Sequence, residues 1–137
     1  MKTQFVFQLA SSRWLLYAAA GFSAVAGIIH AYFMPEHFEA WIGYGVFFLV
    51  ATVGQVLLAL VLLADLPPRR VVLWAGILGN AAIIALWVIT RTLGVPMGPM
   101  VGEIEAVGVL DLTSKIAELA VIVCLAVLLR ETRFQRN

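Results

Sequence analysis

Charged residues are scarce in this sequence. Only 12% of its 137 residues are Asp, Glu, Lys or Arg, and the formal net charge is +1. The mean hydropathy of +1.00 lies far outside the usual range of soluble domains. A soluble domain of this length cannot hide so much apolar surface in one core, so lipid must cover the remainder. The sequence also lacks a basic tract, and nucleic acid is therefore not an expected partner.

Cysteine and catalytic motifs are almost absent as well. The single cysteine, Cys124, excludes an internal disulfide and any CxxC redox or zinc motif. There is no GxSxG, HExxH or phosphate-binding loop, and no His lies near a Ser or Thr in a nucleophile arrangement. No catalytic residue is predicted, and the sequence identifies no cofactor. A haem would need an axial His well inside the helices, where only His30 lies, so a quinone or another lipid-like ligand in an apolar cleft fits better.

Long apolar runs are what the sequence does contain. Four of them approach or exceed the ~20 residues that a helix needs to cross a bilayer, and none alternates as barrel strands do. The predicted fold class is all-α, a single four-helix transmembrane domain over residues 1–137 with an antiparallel, up-down-up-down arrangement. The predicted spans are residues 14–33, 41–64, 71–93 and 106–129. Pro35, "DLPPRR" and "GVPMGPMVGE" are expected to separate them.

The charges that remain predict an orientation. Basic residues gather at one side of the predicted bundle and acidic residues at the other, which by the positive-inside rule places both termini in the cytoplasm. Trp14, Trp41 and Tyr44 lie near helix ends, where interfacial aromatics are expected. The basic set is Lys2, Arg13, Arg69, Arg70, Arg130, Arg133 and Arg136, and the acidic set is Glu36, Glu39, Glu103 and Glu105.

The fourth run carries three ionisable residues, Asp111, Lys115 and Glu118. Their i, i+4, i+7 spacing puts them on one helix face, where Lys115 can pair with either carboxylate. An ionisable group at the bilayer centre costs ~2.5 to 3.5 kcal/mol even on a lenient insertion scale. The face is therefore expected to point toward protein or water.

Other predicted helices offer polar partners at two depths. His30 and Arg91 are expected to join Asp111 and Lys115 in the outer half of the bundle. Asn80, Gln55 and Glu118 are expected to meet deeper.

The favoured hypothesis is a binding or transport protein with an outward-opening intramembrane pocket for a small polar or anionic ligand or ion. Arg91 and Lys115 would hold the ligand, and Asp111 would orient Lys115. Glu118 would act as a deeper proton acceptor, and His30 would change charge near neutral pH and gate the pocket. The predicted ligand-binding residues are His30, Asn80, Arg91, Asp111, Lys115 and Glu118. The competing interpretation is that the same polar network only holds the helices in register.

Two other functions stay open. The chain is small enough to be a non-catalytic subunit of a larger membrane complex, or a homo-oligomer, with the polar stripe as an interface. A metal site at the outer face is the second, because "MGPM" has the MxxM spacing that Cu(I) accepts. Its candidate ligands are His30, His37, Met97 and Met100, whereas a harder metal would prefer His30, Glu36, His37, Glu103 and Glu105.

Small residues recur along the first three runs. Glycines in such helices let neighbouring backbones approach closely, so we expect seven of them at helix contacts. They are Gly21, Gly27, Gly43, Gly45, Gly54, Gly76 and Gly79.

Three stretches carry a resemblance to known families, and together they cover about residues 14–129. They are "GIIHAYFMPEHFEAWIGYGVFFLVATVGQVLLAL", "GNAAIIALWVITRTLGVPMGP" and "GEIEAVGVLDLTSKIAE". The chain resembles a group of small four-span bacterial membrane proteins without assigned function. More distantly, a first helix that ends in His, then a short turn and a Gly-bearing second helix, looks like the DoxX-type four-helix membrane proteins. The resemblance implies four spans and supplies no catalytic residue, and the chain lacks the cysteine pair that redox roles in that family would require.

Overall fold

A computed structural model describes the backbone of residues 2–64 and 70–134 and the side chains of residues 13–64 and 70–131. Four helices and no strand occupy this part of the chain: α1 (Lys2–Ala40), α2 (Ile42–Leu63), α3 (Arg70–Thr92) and α4 (Val109–Phe134). Each contains a segment long and apolar enough to cross a membrane, Arg13–Ala40 in α1 and Val109–Glu131 in α4. The chain is thus an all-α, multi-pass membrane protein. Four of the basic residues on which the orientation prediction rests have side chains outside the described part of the chain: Lys2, Arg69, Arg133 and Arg136. Most of "DLPPRR" also lies outside it.

The prediction that Pro35 closes the first helix is wrong. α1 continues through Pro35 to Ala40, and only Trp41, with an extended backbone of φ −171° and ψ 139°, separates it from α2. A proline removes one backbone hydrogen bond, which a membrane helix tolerates when nearby groups satisfy the backbone. The carbonyl that loses its donor is that of Ala31, and separately the His37 imidazole donates from Nδ1 to the Phe33 carbonyl at 2.8 Å, within the same helix.

The fourth helix begins three residues later than predicted because the preceding chain forms an ordered loop. Val95 N donates to the Glu103 carbonyl and Gly102 N donates to the Val95 carbonyl, both at 2.9 Å. Glu105 N donates to the Thr90 carbonyl at the end of α3, at 3.1 Å. Gly94, at φ 95°, is one of three glycines in this loop with positive φ, a conformation that side-chain-bearing residues rarely adopt. The loop thus closes back on α3 before α4 starts at Val109.

The apolar core receives side chains from all four helices. It lies among the N-terminal parts of α1 and α3 and the C-terminal parts of α2 and α4. Ala19, Leu58, Leu73 and Val121 are among its buried members. α1 packs against α2 and α4, and α3 packs mainly against α4. Lipid-facing positions are correspondingly apolar: Ile28, Ile42, Leu78 and Ile116 are each more than 60% exposed.

The glycine prediction is right for some positions and wrong for others. A Cβ at Gly27 would lie 3.3 Å from Val56, and one at Gly76 would lie 2.5 Å from Leu125. Both glycines therefore mark close helix contacts, whereas nothing lies within 4 Å of a Cβ built at Gly21, Gly54 or Gly79. Gly45 on α2 also marks a helix contact, because the Phe38 ring of α1 fills the space beside it, whereas the space beside Gly43 is filled by the ring of Trp41 between the two helices.

Candidate functional site

A buried polar cluster, the inner cluster, joins all four helices. It consists of His30 on α1, Gln55 on α2, Asn80 on α3, and Lys115 and Glu118 on α4. Each of the five side chains is buried, and Glu118 is 0% exposed. The deep meeting of Asn80, Gln55 and Glu118 was expected from the sequence, and the structure brings these three side chains together.

Gln55 connects the members of the inner cluster. Its Nε2 donates to Asn80 Oδ1 at 3.3 Å and to Glu118 Oε1 at 3.2 Å, while its Oε1 accepts from His30 Nδ1 at 2.8 Å. Asn80 Nδ2 is used separately, as a donor to the Gly76 carbonyl at 2.8 Å. Asn80 Nδ2 donates to a carbonyl and Gln55 Nε2 donates to a carboxylate, so Gln55 Oε1 is the acceptor that faces His30, which assigns a proton to His30 Nδ1. The other ring nitrogen, His30 Nε2, lies 3.5 Å from Glu118 Oε1.

Lys115 and Glu118 form the ion pair of the inner cluster. The Lys115 ammonium lies 2.8 Å from Glu118 Oε1 and 2.7 Å from Oε2, one helical turn along α4. Two buried charges of opposite sign thus pair inside the bundle, which offsets part of the desolvation cost of burying each of them.

A second polar cluster, the outer cluster, is built around Arg91 at the end of α3. The Arg91 guanidinium lies 2.7 Å from Glu105 Oε2 and 2.8 Å from Asp111 Oδ2. Asp111 Oδ2 also accepts from Trp87 Nε1 at 2.7 Å, and the Arg91 guanidinium carbon lies 5.3 Å from the centre of the Trp87 ring. Arg91 Nε is buried and, among the described residues, has no hydrogen-bond partner.

The expectation that Asp111 orients Lys115 is wrong. Glu118 holds the ammonium of Lys115, while the Asp111 carboxylate is engaged by Arg91 and Trp87. The i, i+4 and i, i+3 spacings along α4 are equally compatible with pairing, and contacts from α3 decide between them. Arg91 reaches Asp111 from α3 and leaves Lys115 to Glu118.

A cavity of about 640 Å³ lies between the two clusters. Its wall is formed by the C-terminal parts of α1 and α3, the N-terminal parts of α2 and α4, and the loop before α4, a grouping that an up-down-up-down bundle would produce. His30, Arg91, Asp111 and Lys115, which the sequence predicts to meet in the outer half, all line it. Glu118 lies directly behind this lining, bonded to Lys115, whereas Asn80 is bonded to Gln55 and Gly76, which do not line the cavity.

Aromatic side chains form much of the rest of the wall. The His37 ring stacks on Phe48 with 3.7 Å between centroids, and the His30 ring meets Phe48 edge-on at 5.5 Å. Trp41 and Tyr44 line the cavity with 5.0 Å between their ring centroids, and their expected position at the membrane interface stays a prediction. The aromatic lining residues are Phe33, Trp41, Tyr44, Phe47, Phe48 and Trp87.

Tyr44 also ties the loop to the mouth of the cavity. Its hydroxyl donates to the Met97 carbonyl at 2.7 Å and accepts from Met100 N at 3.2 Å. Both methionines line the cavity, so this one side chain holds the loop segment that borders the opening.

The four residues predicted to bind copper, His30, His37, Met97 and Met100, all line the cavity. Nδ1 of each histidine already donates to a protein oxygen, and Phe48 lies against both rings. Within the described part of the chain, no group of three or more His, Cys, Asp or Glu side chains could hold a metal ion. Metal handling stays a prediction without structural support.

Three site residues escaped the sequence-based list of ligand-binding residues. Gln55 was expected near Glu118 but not as the hub of the inner cluster, and Trp87, which donates to Asp111, was not among the predicted site residues. Glu105 was grouped with the acidic loop residues, since its contact with Arg91 depends on the loop folding back onto α3. A signal existed for Gln55, because an uncharged amide inside an apolar helix needs partners for all its hydrogen-bonding groups.

The chain matches no protein-family model, and no curated protein or solved structure matches it significantly. The resemblance to DoxX-type proteins therefore stays a prediction, and the function has to be argued from the geometry of the cavity and its two clusters.

Proposed function

We propose that this protein binds a small ligand with a polar group in its intramembrane cavity, as a receptor or as the binding step of transport. The observation that carries the proposal is a cavity of about 640 Å³ with apolar walls that ends on a fully paired, buried ion pair. Ligand pockets typically enclose roughly 300 to 1,000 Å³ and combine apolar walls with a few convergent polar groups. The cavity has both properties.

The cost of the polar clusters supports a functional role for them. Replacing a buried ion pair with packed apolar residues is often neutral or stabilising, so helix packing alone is a weak reason to keep Lys115 and Glu118. Lys115 and His30 belong both to the inner cluster and to the cavity lining. A ligand in the cavity would therefore contact the cluster directly.

The ion pairs argue for a polar rather than an anionic ligand. Arg91 and Lys115, the two cations that would attract an anion, already contact carboxylates. In the proposed orientation the cavity opens to the non-cytoplasmic side of a bacterial inner membrane.

The proposal is tested by identifying the small molecules that co-purify with the protein. The full chain would be purified in a mild detergent, its bound small molecules extracted, and these identified by mass spectrometry. Gly108→Trp would narrow the cavity, because Gly108 lines it and an added Cβ meets only Asp111, at an ordinary 3.7 Å. We expect compounds that co-purify with the wild type to be depleted from this variant.

Gly79→Trp is the matched control. Gly79 lies on the exposed side of α3, and nothing lies within 4 Å of an added Cβ there. This variant should keep the wild-type set of compounds. Identical compounds in all three proteins, or none in any, would contradict a binding role for the cavity.

A further inference from the structure

The charge of the cavity wall is negative. Four carboxylates, Glu36, Glu105, Asp111 and Glu118, line the cavity or contact its lining, against only two cations, Arg91 and Lys115. With both imidazoles counted as neutral, this leaves an excess of two negative charges in the described part of the site.

The position of that excess matters. Lys115 and Glu118 cancel each other in the inner cluster. Arg91 shares its single positive charge between Glu105 and Asp111, so the outer cluster as a whole is an anion. Glu36 adds a further carboxylate from the exposed end of α1. An incoming anion would meet repulsion near Glu105 and Asp111, whereas a cation would be attracted.

The aromatic wall favours the same sign of charge. The face of an aromatic ring attracts cations, most strongly in Trp and Tyr. The protein already uses this contact, since the Arg91 guanidinium lies over the Trp87 ring at 5.3 Å. Trp41, Tyr44, Phe47 and Phe48 extend the aromatic surface toward the opposite wall.

The cation that fits is organic rather than a metal ion. The described residues hold no metal-binding group of His, Cys, Asp or Glu. The cavity is also much larger than a bare ion, and its wall is mostly apolar. A substituted ammonium or phosphonium ion with an aromatic or aliphatic body would match the apolar wall and the negative charge together.

We propose that the cavity selects organic cations with apolar substituents. This inference rests on the proposed function, and it names the chemical class of ligand that the negatively charged, aromatic-lined wall would bind.

The test compares phenyl-bearing probes that differ in charge, of which the cation and the anion have nearly the same shape. Tetraphenylphosphonium, the neutral triphenylphosphine oxide and the anion tetraphenylborate would be titrated into the purified full chain in detergent by equilibrium dialysis. Binding to Gly108→Trp and to empty micelles would be subtracted as background. We expect the cation to bind roughly two- to fivefold more tightly than the neutral probe, and on the order of tenfold more tightly than the anion.

A charge variant makes the test specific. Glu36→Gln at the exposed end of α1 should weaken binding of the cation roughly two- to fivefold and leave the neutral probe unchanged. Glu39→Gln, three residues away and outside the cavity lining, is the matched control and should change neither.

The outcomes separate the two proposals. If the neutral probe or the anion binds as tightly as the cation, selection for cations is wrong while the cavity remains a binding site. If no probe binds above background, both the selectivity and the proposed function are contradicted.

Discussion

Lys115 and Glu118 are the side chains on which the inner cluster depends. Glu118 is 0% exposed and Lys115 is 7% exposed, and each is the other's only partner of opposite charge at 2.7 to 2.8 Å among the described residues. Removing one member leaves the other charge buried without compensation, whereas removing both eliminates the two desolvation costs together.

The Lys115–Glu118 ion pair predicts that the effects of mutating its two members on stability are not additive. Glu118→Gln and Lys115→Met should each lower the free energy of unfolding by ~3 to 5 kcal/mol. The double variant should recover most of that loss, as measured by denaturant unfolding in mild detergent. A double variant as destabilised as the sum of the single ones would show that the two side chains do not stabilise each other.

The sequence shows correctly which polar residues come together, but it does not show which of them form ion pairs with each other. The spacing of Asp111, Lys115 and Glu118 places them on one helix face. Because exposing ionisable side chains to lipid costs free energy, that face is expected to point into the bundle. Pairing could not be derived, because it depends on Arg91 and Trp87 reaching Asp111 from another helix. Pairing depends on side chains from different helices, and the spacing within one helix does not show how far along the bundle axis a residue of another helix lies.

At the scale of the element, Gly76 fixes how closely α3 approaches its neighbours. A Cβ there would lie 2.5 Å from Leu125 Cδ1 on α4 and 3.0 Å from Leu58 Cδ2 on α2. Leu125 is fully buried, so its side chain has little room to move away. This contact also lies one turn from Asn80, which donates to the Gly76 carbonyl.

Gly76→Leu should therefore lower the free energy of unfolding by ~1 to 3 kcal/mol through overpacking. Gly79→Leu, three residues along the same helix and with open space around it, should be neutral or slightly stabilising because glycine is a poor helix former. Thermal unfolding of both variants in detergent compares them directly. Equal destabilisation would show that α3 does not pack as described.

The helices themselves are largely predictable from hydropathy, and their ends are not. α2 and α3 match the predicted spans to within one residue at each end. α1 runs past Pro35 because the loss of one hydrogen bond does not end a long membrane helix. α4 starts late because the loop residues Val95 and Glu105 use their backbone groups in pairing that only the folded chain makes possible.

In the assembled bundle, the proposed function requires that water reach a cavity that lies among the membrane-spanning helices. The described chain presents apolar side chains to lipid along all four helices. The C-terminal parts of α1 and α3 and the N-terminal parts of α2 and α4 surround a cavity with mostly apolar walls and a few polar groups. The positive-inside prediction would make that cavity open away from the cytoplasm. Assembly into a homo-oligomer or a larger complex stays a prediction, and it would have to leave this opening accessible for the proposed binding role to hold.

The most direct measurement of this arrangement is cysteine accessibility at two neighbouring positions of α3. Ile83 lines the cavity and Ile84 does not, although both are partly buried. Each would be changed to cysteine in a Cys124→Ala background and exposed, in sealed vesicles of known orientation, to a membrane-impermeant cationic thiosulfonate. We predict rapid modification of Ile83→Cys from the non-cytoplasmic side only, and none of Ile84→Cys. Equal reactivity at the two positions, or an inert Ile83→Cys from both sides, would contradict a water-accessible cavity within the membrane-spanning bundle.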